Sequence, residues 1–139
     1  MHTPPSIKRV LETALYCADL AQTASFYRQL LNVEPMLTGD RLVALNAGGG
    51  TVLLLFQRGN SGALETVGGL VPGHDGHGPV HLAFAVDTAD LHAWDTRLSQ
   101  LGIEIESRVR WDRGGTSLYF RDPDGHSLEV ATPGLWPNH

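Results

Sequence analysis

The sequence VHLAFAVDTADLHAWDTRLSQLG (Val80–Gly102) repeats a pattern that occurs earlier in the chain, and this repeat indicates the fold. The earlier copy reads VLETALYCADLAQTASFYRQLL (Val10–Leu31). Each copy predicts a strand and then an amphipathic helix that begins at Asp-Leu, and short strands with a glycine turn follow. The two Asp-Leu pairs, at Asp19 and Asp90, are 71 residues apart. A repeat of this length is too long for a solenoid and predicts two tandem modules.

Composition narrows the class of protein. The chain has 139 residues, a formal net charge of -5 and only 10 Lys plus Arg residues, which argues against a nucleic-acid partner. The longest apolar run, Val52–Phe56, is too short to cross a bilayer. Cys17 is the single cysteine, so an internal disulfide is excluded. With no signal-peptide pattern at the start, we expect a cytoplasmic protein without a membrane partner.

The first module is predicted to span residues 7–58 and to open on a strand over residues 8–17. Asp19 is the predicted N-cap of its helix, with Gln22 at the capping-box position. Pro35 is expected to end that helix, because a residue before proline avoids helical geometry. One apolar face recurs at Leu20, Ala24, Tyr27 and Leu31. Further strands are predicted at residues 36–37, 42–46 and 51–56.

A glycine-rich segment, residues 59–78, is predicted to link the modules. It contains His74 and His77, for which we expect a solvated or lid role, because a flexible loop holds metal ligands poorly. The second module spans residues 79–134, and a tail covers residues 135–139. Its helix has apolar positions at Leu91, Trp94, Leu98 and Leu101. Its later strands are predicted at residues 103–108, 117–121 and 127–131.

These elements predict an α+β fold. Two tandem βαβββ modules would form a curved, mostly antiparallel sheet of eight strands, with the helices on its outer face. The opposite face would then enclose a cleft.

Alternation along the strands indicates which residues line that cleft. In the last strand Leu128 and Val130 are the expected core pair, which leaves Glu129 on the other face. The alanines beside it would leave room for a ligand. The same reasoning, applied to every strand, collects these polar residues on the non-helical face: Glu12, His81, Tyr119, Arg121 and Glu129.

One histidine and two carboxylates are a ligand set for a divalent metal. Three protein ligands leave coordination positions open, as in catalytic sites. Spacing alone leaves a second interpretation open, in which these residues are an ion-paired or solvated polar face.

The residues also resemble a known family. The chain resembles the vicinal oxygen chelate superfamily in three features. These are the Asp-Leu helix with Phe26-Tyr27 near its middle, the histidine in the first strand of the second module, and the motif Tyr-Phe-x-Asp-Pro-Asp-Gly-His-x-x-Glu (Tyr119–Glu129). That group includes glyoxalase I, extradiol dioxygenases, methylmalonyl-CoA epimerase, fosfomycin-resistance enzymes and bleomycin-binding proteins. The resemblance covers residues 10–133.

The resemblance implies one divalent metal ion, with Zn, Fe, Mn and Ni not distinguished. The family's ligands fall on Glu12, His81 and Glu129, and Glu12 departs from the commoner His or Gln. A fourth ligand that glyoxalase I uses would fall near Leu54, which cannot bind a metal. This departure counts against glyoxalase I activity.

Two functions follow as hypotheses. The first is a metal-dependent isomerase, dioxygenase, lyase or transferase that stabilises an oxyanion on a bidentate small molecule. Glu12 or Glu129 would serve as general base and Tyr119 as hydrogen-bond donor, while Arg113 and Arg121 would bind an anionic group.

The second hypothesis is a metal-free small-molecule or antibiotic binding protein of the bleomycin-resistance type. Its cleft would be lined by Tyr16, Phe56, Trp111 and Tyr119. In the first hypothesis, Tyr16, Phe56 and Trp111 are also assigned to substrate binding. The family further implies a homodimer.

Overall fold

The computed structural model describes residues 3–139, and the chain divides into two compact units. The first unit runs through Gly76, and the second starts at His77. Within residues 3–139, two α-helices and ten strands confirm the α+β class. Among the described residues, neither helix is long and apolar enough to cross a membrane.

The first unit contains a four-stranded sheet and one helix. Its strands are β1 (Glu12–Cys17), β2 (Leu37–Thr38), β3 (Leu42–Gly48) and β4 (Thr51–Gln57), and its helix is α1 (Leu20–Leu31). The strand order is β1-β4-β3-β2. The β1–β4 pair is parallel, and the other two pairs are antiparallel.

Asp19 is confirmed as the cap of α1, since its side chain accepts the Gln22 N–H at 3.2 Å. Gln57 supports the same helix end, because its side-chain oxygen accepts the Leu20 N–H at 3.0 Å. The prediction that Pro35 ends the helix is wrong. Asn32 ends it by adopting the left-handed conformation with φ 53°, which places its N–H on the Arg28 carbonyl.

The core of the first unit lies between α1 and the sheet, as the apolar periodicity predicts. The first strand is shorter than predicted, because pairing with β4 begins at Glu12 opposite Val52. The apolar residues before it stay outside the core, and Leu11 is 57% exposed. Buried residues include Leu15, Tyr27, Leu30, Leu45, Leu53 and Leu55.

The segment predicted as a linker carries regular structure of its own. Residues Leu64–Thr66 (β5) and Gly69–Val71 (β6) form an antiparallel two-stranded hairpin. Gly73 follows it where two chain segments nearly touch, since a Cβ there would lie 2.7 Å from the Ala63 nitrogen. Short strands with few apolar residues give too little periodicity to be recognised from sequence.

The second unit repeats the plan of the first. Its strands are β7 (His81–Ala85), β8 (Ser107–Arg110), β9 (Thr116–Arg121) and β10 (Ser127–Ala131), and its helix is α2 (Leu91–Gln100), entered through a 3₁₀ turn at Thr88–Asp90. The order β7-β10-β9-β8, with β7 parallel to β10, matches that of the first sheet. The strand predicted at residues 103–108 begins later, at Ser107, while β10 has the predicted bounds.

Candidate functional site

Strand β10 organises the candidate site of the second unit. Its register places Glu129 opposite Tyr119 of β9, and Ser127 opposite His81 of β7. Leu128 and Val130 are buried at 0% and 1% exposure, which confirms the predicted core pair. Because side chains alternate along a strand, Glu129 must then point to the other face of the sheet.

Glu129 is a buried carboxylate at the end of a chain of polar side chains. Its side chain is 5% exposed, and Oε1 lies 3.2 Å from Nε2 of His81. The Ser117 hydroxyl donates to Oε2, and Trp111 Nε1 donates to the Ser117 oxygen at 2.8 Å. A buried carboxylate requires such partners, because an unpaired charge in an apolar environment is costly. The indole, the hydroxyl and the carboxylate therefore form one hydrogen-bonded chain.

The backbone determines which nitrogen of His81 is available. Its Nδ1 lies 2.9 Å from the carbonyl oxygen of Ser127. A carbonyl only accepts, so we assign the proton to Nδ1. In the neutral ring Nε2 then presents a lone pair toward Glu129 Oε1. Two acceptors that face each other need a proton or a cation between them.

The pair fits a metal ion on chemical grounds. Metal-bound histidines usually donate the other ring N–H to a carbonyl or carboxylate, as His81 does. At bond lengths of about 2.1 Å, two ligand atoms lie about 3.0 Å apart at a right angle and about 3.4 Å apart in a tetrahedron. The observed 3.2 Å between His81 Nε2 and Glu129 Oε1 lies between these values.

Tyr119 lies beside this pair. Its ring stacks on that of His81 with centroids 6.3 Å apart. Burial, followed by the negative charge of Glu129, raises the pKa of Tyr119 above its ordinary value. The phenol is therefore neutral at physiological pH and can donate a hydrogen bond.

The other residues of the predicted site fall in two groups. Arg121 is paired with Glu106, Nε to Oε2 at 2.8 Å, and Nη1 also donates to the Gly125 carbonyl at 2.9 Å. That pairing lowers the pKa of Glu106. Arg113 is exposed, and Trp111 is 39% exposed. The substrate-binding roles of these residues stay predictions, and the guanidinium of Arg121 would have to leave Glu106 to bind a ligand.

Glu12 and the predicted aromatic residues belong to the first unit. Glu12 is exposed at the first position of β1, on the same face as Tyr16, and its role as third metal ligand stays a prediction. Tyr16 and Phe56 are opposite each other in β1 and β4, with ring centroids 6.2 Å apart. His74 joins them, since its Nδ1 is 2.6 Å from the Tyr16 hydroxyl.

Two contributors were missed from the sequence. Ser117 lies on the predicted face, so alternation could have found it, but a serine gives no chemical signal of its own. Arg41 contacts the Phe56 ring, with its Cζ 5.9 Å from the centroid. Nothing in the sequence periodicity points to that residue.

A second group of possible metal ligands lies in the turn before β10. Ligand atoms of Asp122, Asp124 and His126 are within 4.8 Å of one another. Asp122 Oδ1 accepts the N–H groups of Asp124 and His126 at 2.9 and 3.0 Å, and Oδ2 lies 2.7 Å from His126 Nδ1. These bonds shape the Asp-Pro-Asp-Gly turn.

Two βαβββ units and the pairing of an exposed His81 with the buried Glu129 define a class of small tandem-module proteins. The profile of the Glyoxalase/Bleomycin resistance protein/Dioxygenase superfamily matches residues 9–130. The chain therefore belongs to this superfamily, which confirms the resemblance drawn from the motifs.

Individual relatives agree with this assignment. The chain is 32% identical over 117 residues to "Metallothiol transferase FosB" of Shouchella clausii, covering 83% of the chain and 73% of the relative. The same protein of Bacillus licheniformis is 27% identical over 116 residues, covering 83% and 69%. The crystal structure of lactoylglutathione lyase from Agrobacterium tumefaciens superposes with a TM-score of 0.84 and 36% identity, covering 97% of this chain and 99% of that one. These findings support a small metal-dependent enzyme of the glyoxalase superfamily.

Proposed function

We propose that the protein binds one divalent metal ion through His81 and Glu129. The observation that carries this proposal is the 3.2 Å approach of His81 Nε2 to Glu129 Oε1, with Nδ1 already engaged by a carbonyl. The metal would supply Lewis-acid stabilisation of charge that develops on a substrate oxygen. Imidazole and carboxylate together suit Zn, Fe, Mn or Ni.

The protein groups around the pair would position the reaction. Ser117 holds one oxygen of Glu129, and Ser127 holds the ring of His81, so both side chains are oriented before substrate arrives. Tyr119, which is neutral, would donate a hydrogen bond to a substrate oxygen. Glu129, as a weakly ligating carboxylate, would accept a proton as general base.

The substrate class is a small molecule with vicinal oxygens, and we further propose a thiol co-substrate. The names of two relatives support the thiol: one is a metallothiol transferase, and the other is a lactoylglutathione lyase, whose name contains the thiol glutathione. In the transfer reaction the thiolate sulfur would form a bond to carbon while a carbon–oxygen bond breaks, and a proton would go to the released oxygen. The lyase alternative would move a proton between adjacent carbons.

Metal analysis tests the first part of the proposal. Tag-free protein, incubated with each metal and desalted, should retain one equivalent of the preferred ion. Glu129→Ala and His81→Ala should lose it, while Glu104→Ala, an exposed carboxylate of the same unit, should keep it. Wild-type protein that retains none of Zn, Fe, Mn or Ni would refute the metal site and favour the binding protein.

A thiol-consumption assay tests the second part. The metal-loaded protein is incubated with a low-molecular-weight thiol and either a small epoxide or a 2-oxoaldehyde, and free thiol is measured over time. Loss of thiol with the epoxide alone supports transfer, whereas formation of a thioester with the 2-oxoaldehyde supports the lyase reaction. No metal-dependent product with either substrate would contradict the thiol proposal and leave isomerisation or dioxygenation for testing.

We also propose that the protein is a homodimer. Apolar side chains before β1 are exposed, with Ile7 at 89%, Val10 at 70% and Leu11 at 57%. Burying such residues against a second copy would be favourable. Light scattering coupled to size-exclusion chromatography should give twice the chain mass of 15.1 kDa, and Val10→Glu should shift the mass toward the monomer. A monomeric wild type over the micromolar range would overturn this proposal.

A further inference from the structure

A cluster of four side chains in the first unit has no assigned role beyond the predicted ligand contacts of Tyr16 and Phe56. Tyr16 and Phe56 stand side by side on β1 and β4. His74 packs on the Phe56 ring in an edge-on arrangement, with centroids 4.6 Å apart, and Arg41 lies over the same ring at 5.9 Å. Three rings and one cation therefore meet at the end of the sheet.

Arg41 is the unusual member of this cluster. Its Nη2 donates to the Gly62 carbonyl at 2.7 Å. Its Nε is buried. Among the buried side-chain polar atoms of residues 3–139, this Nε alone has no hydrogen-bond partner. Buried donors are nearly always satisfied in proteins, so an orphaned guanidinium N–H indicates an acceptor that is absent.

The charge balance points in the same direction. Among the described residues, the ion pairs of the first unit include Arg28–Glu34 but none with Arg41. A partly buried guanidinium without a carboxylate partner favours an anion, and its planar N–H groups match the oxygens of carboxylate or phosphonate.

The segment from Ser61 to Gly76, which contacts Arg41 through Gly62, lies close to the rings. The Ser61 hydroxyl donates to the His74 carbonyl, and the His74 N–H donates to the Ser61 carbonyl at 2.9 Å. Gly76 lies directly on Tyr16, since a Cβ there would be 2.4 Å from Cδ2 of the ring. Gly62, whose carbonyl accepts a hydrogen bond from Arg41 Nη2, belongs to the same segment, so a shift of this segment would release the guanidinium.

We propose that Arg41, Tyr16 and Phe56 form a binding site for the oxyanion group, carboxylate or phosphonate, of a small organic ligand. Arg41 binds the anion once the segment from Ser61 to Gly76 shifts. The same shift moves His74 away from Phe56, which is 4% exposed, and from the Tyr16 hydroxyl, so that the ring and the hydroxyl can contact the ligand. The site lies wholly in the first unit, so it does not depend on the proposed metal chemistry.

Nuclear magnetic resonance tests this directly, because the Nε–H of an arginine gives its own ¹H–¹⁵N signal. Phenylphosphonate, which carries both an oxyanion and a ring, serves as the probe, and benzyl alcohol is the neutral control. The Arg41 Nε–H signal should shift with saturation on addition of phenylphosphonate and not with benzyl alcohol. Arg41→Gln should bind phenylphosphonate about ten- to hundredfold more weakly, the effect of one hydrogen bond to a charged group.

Matched variants make the result specific. Arg58→Gln, an exposed arginine of the same unit, should bind phenylphosphonate as tightly as wild type. Glu129→Ala should also bind it normally, which separates this site from the proposed metal site. Arg41→Lys, which keeps the charge but lacks Nε–H, should show an intermediate loss and serves if Arg41→Gln does not fold. Equal affinity of wild type and the folded Arg41 variants, or no shift of the Nε–H signal, would overturn the proposal.

Discussion

Ser117→Ala is the most informative substitution in the second unit. Ser117 is fully buried, and its hydroxyl donates to Glu129 while it accepts the indole N–H of Trp111. The substitution removes one oxygen atom and leaves both neighbours in place. Any effect on metal affinity must then come from the orientation and charge of Glu129.

The magnitude follows from the two bonds that are lost. The bond to Trp111 can be replaced in part by water, because Trp111 is 39% exposed. The bond to the carboxylate is charge-assisted and contributes about 2 kcal/mol, and Glu129 is too buried at 4% exposure for water to replace it easily. Removal of a hydrogen-bond partner behind a metal ligand typically weakens metal affinity about ten- to hundredfold.

Ser127→Ala is the matched control. Ser127 contributes its backbone carbonyl to His81, and an alanine keeps that carbonyl. Competition titration with a chromophoric chelator should show the loss of metal affinity in Ser117→Ala and a change of less than about threefold in Ser127→Ala. Equal affinities of Ser117→Ala and wild type would refute the positioning role of Ser117, and equal losses in both variants would show that the effect is not specific.

Three further predictions concern the first unit. Gly76→Ala should lower the free energy of unfolding by about 1–3 kcal/mol, because its Cβ would overlap the Tyr16 ring. The control in the same denaturant titration is Gly62→Ala, whose Cβ would have no neighbouring atom within 4 Å. Equal effects of the two substitutions would contradict the overlap. Asn32→Gly should stabilise the chain by about 0.5–1 kcal/mol, because glycine adopts φ 53° without strain; calorimetry that shows destabilisation would be inconsistent with this. Burial and the charge of Asp75 raise the pKa of Tyr16, so its ionisation opposes folding, and stability should fall as pH rises through that raised pKa. Tyr16→Phe should remove part of the tyrosinate absorbance that appears at the highest pH. An unchanged absorbance titration would contradict the shift.

The candidate site was predictable to the extent that it depends on alternation. The period-2 pattern placed Glu129 opposite the core pair Leu128 and Val130, and the register of β10 brings it next to His81. The same pattern placed Arg121 on that face, but the structure pairs its guanidinium with Glu106. Alternation decides the face of a side chain, whereas a long flexible side chain chooses its partner among several within reach.

Local sequence patterns do not predict the hairpin of β5 and β6 or the unsatisfied Nε of Arg41. The hairpin lies in a glycine-rich segment with weak periodicity, and that composition predicts a linker. The contacts of His74 with Tyr16 and of Arg41 with Gly62 join positions 58 and 21 residues apart. Local patterns carry no information about such pairs, because their geometry depends on how distant segments pack.

Local sequence patterns are sufficient to predict the duplicated modules, the α+β class, the N-cap at Asp19 and the face on which the polar residues lie. These features depend on residues that are close in the chain, where periodicity and capping act. Long-range packing brings Ser117 to Glu129 and the Ser127 carbonyl to His81. It also leaves Arg41 Nε without an acceptor. Those outcomes depend on strand register and on burial, because a buried polar group must find its partner wherever the fold places one.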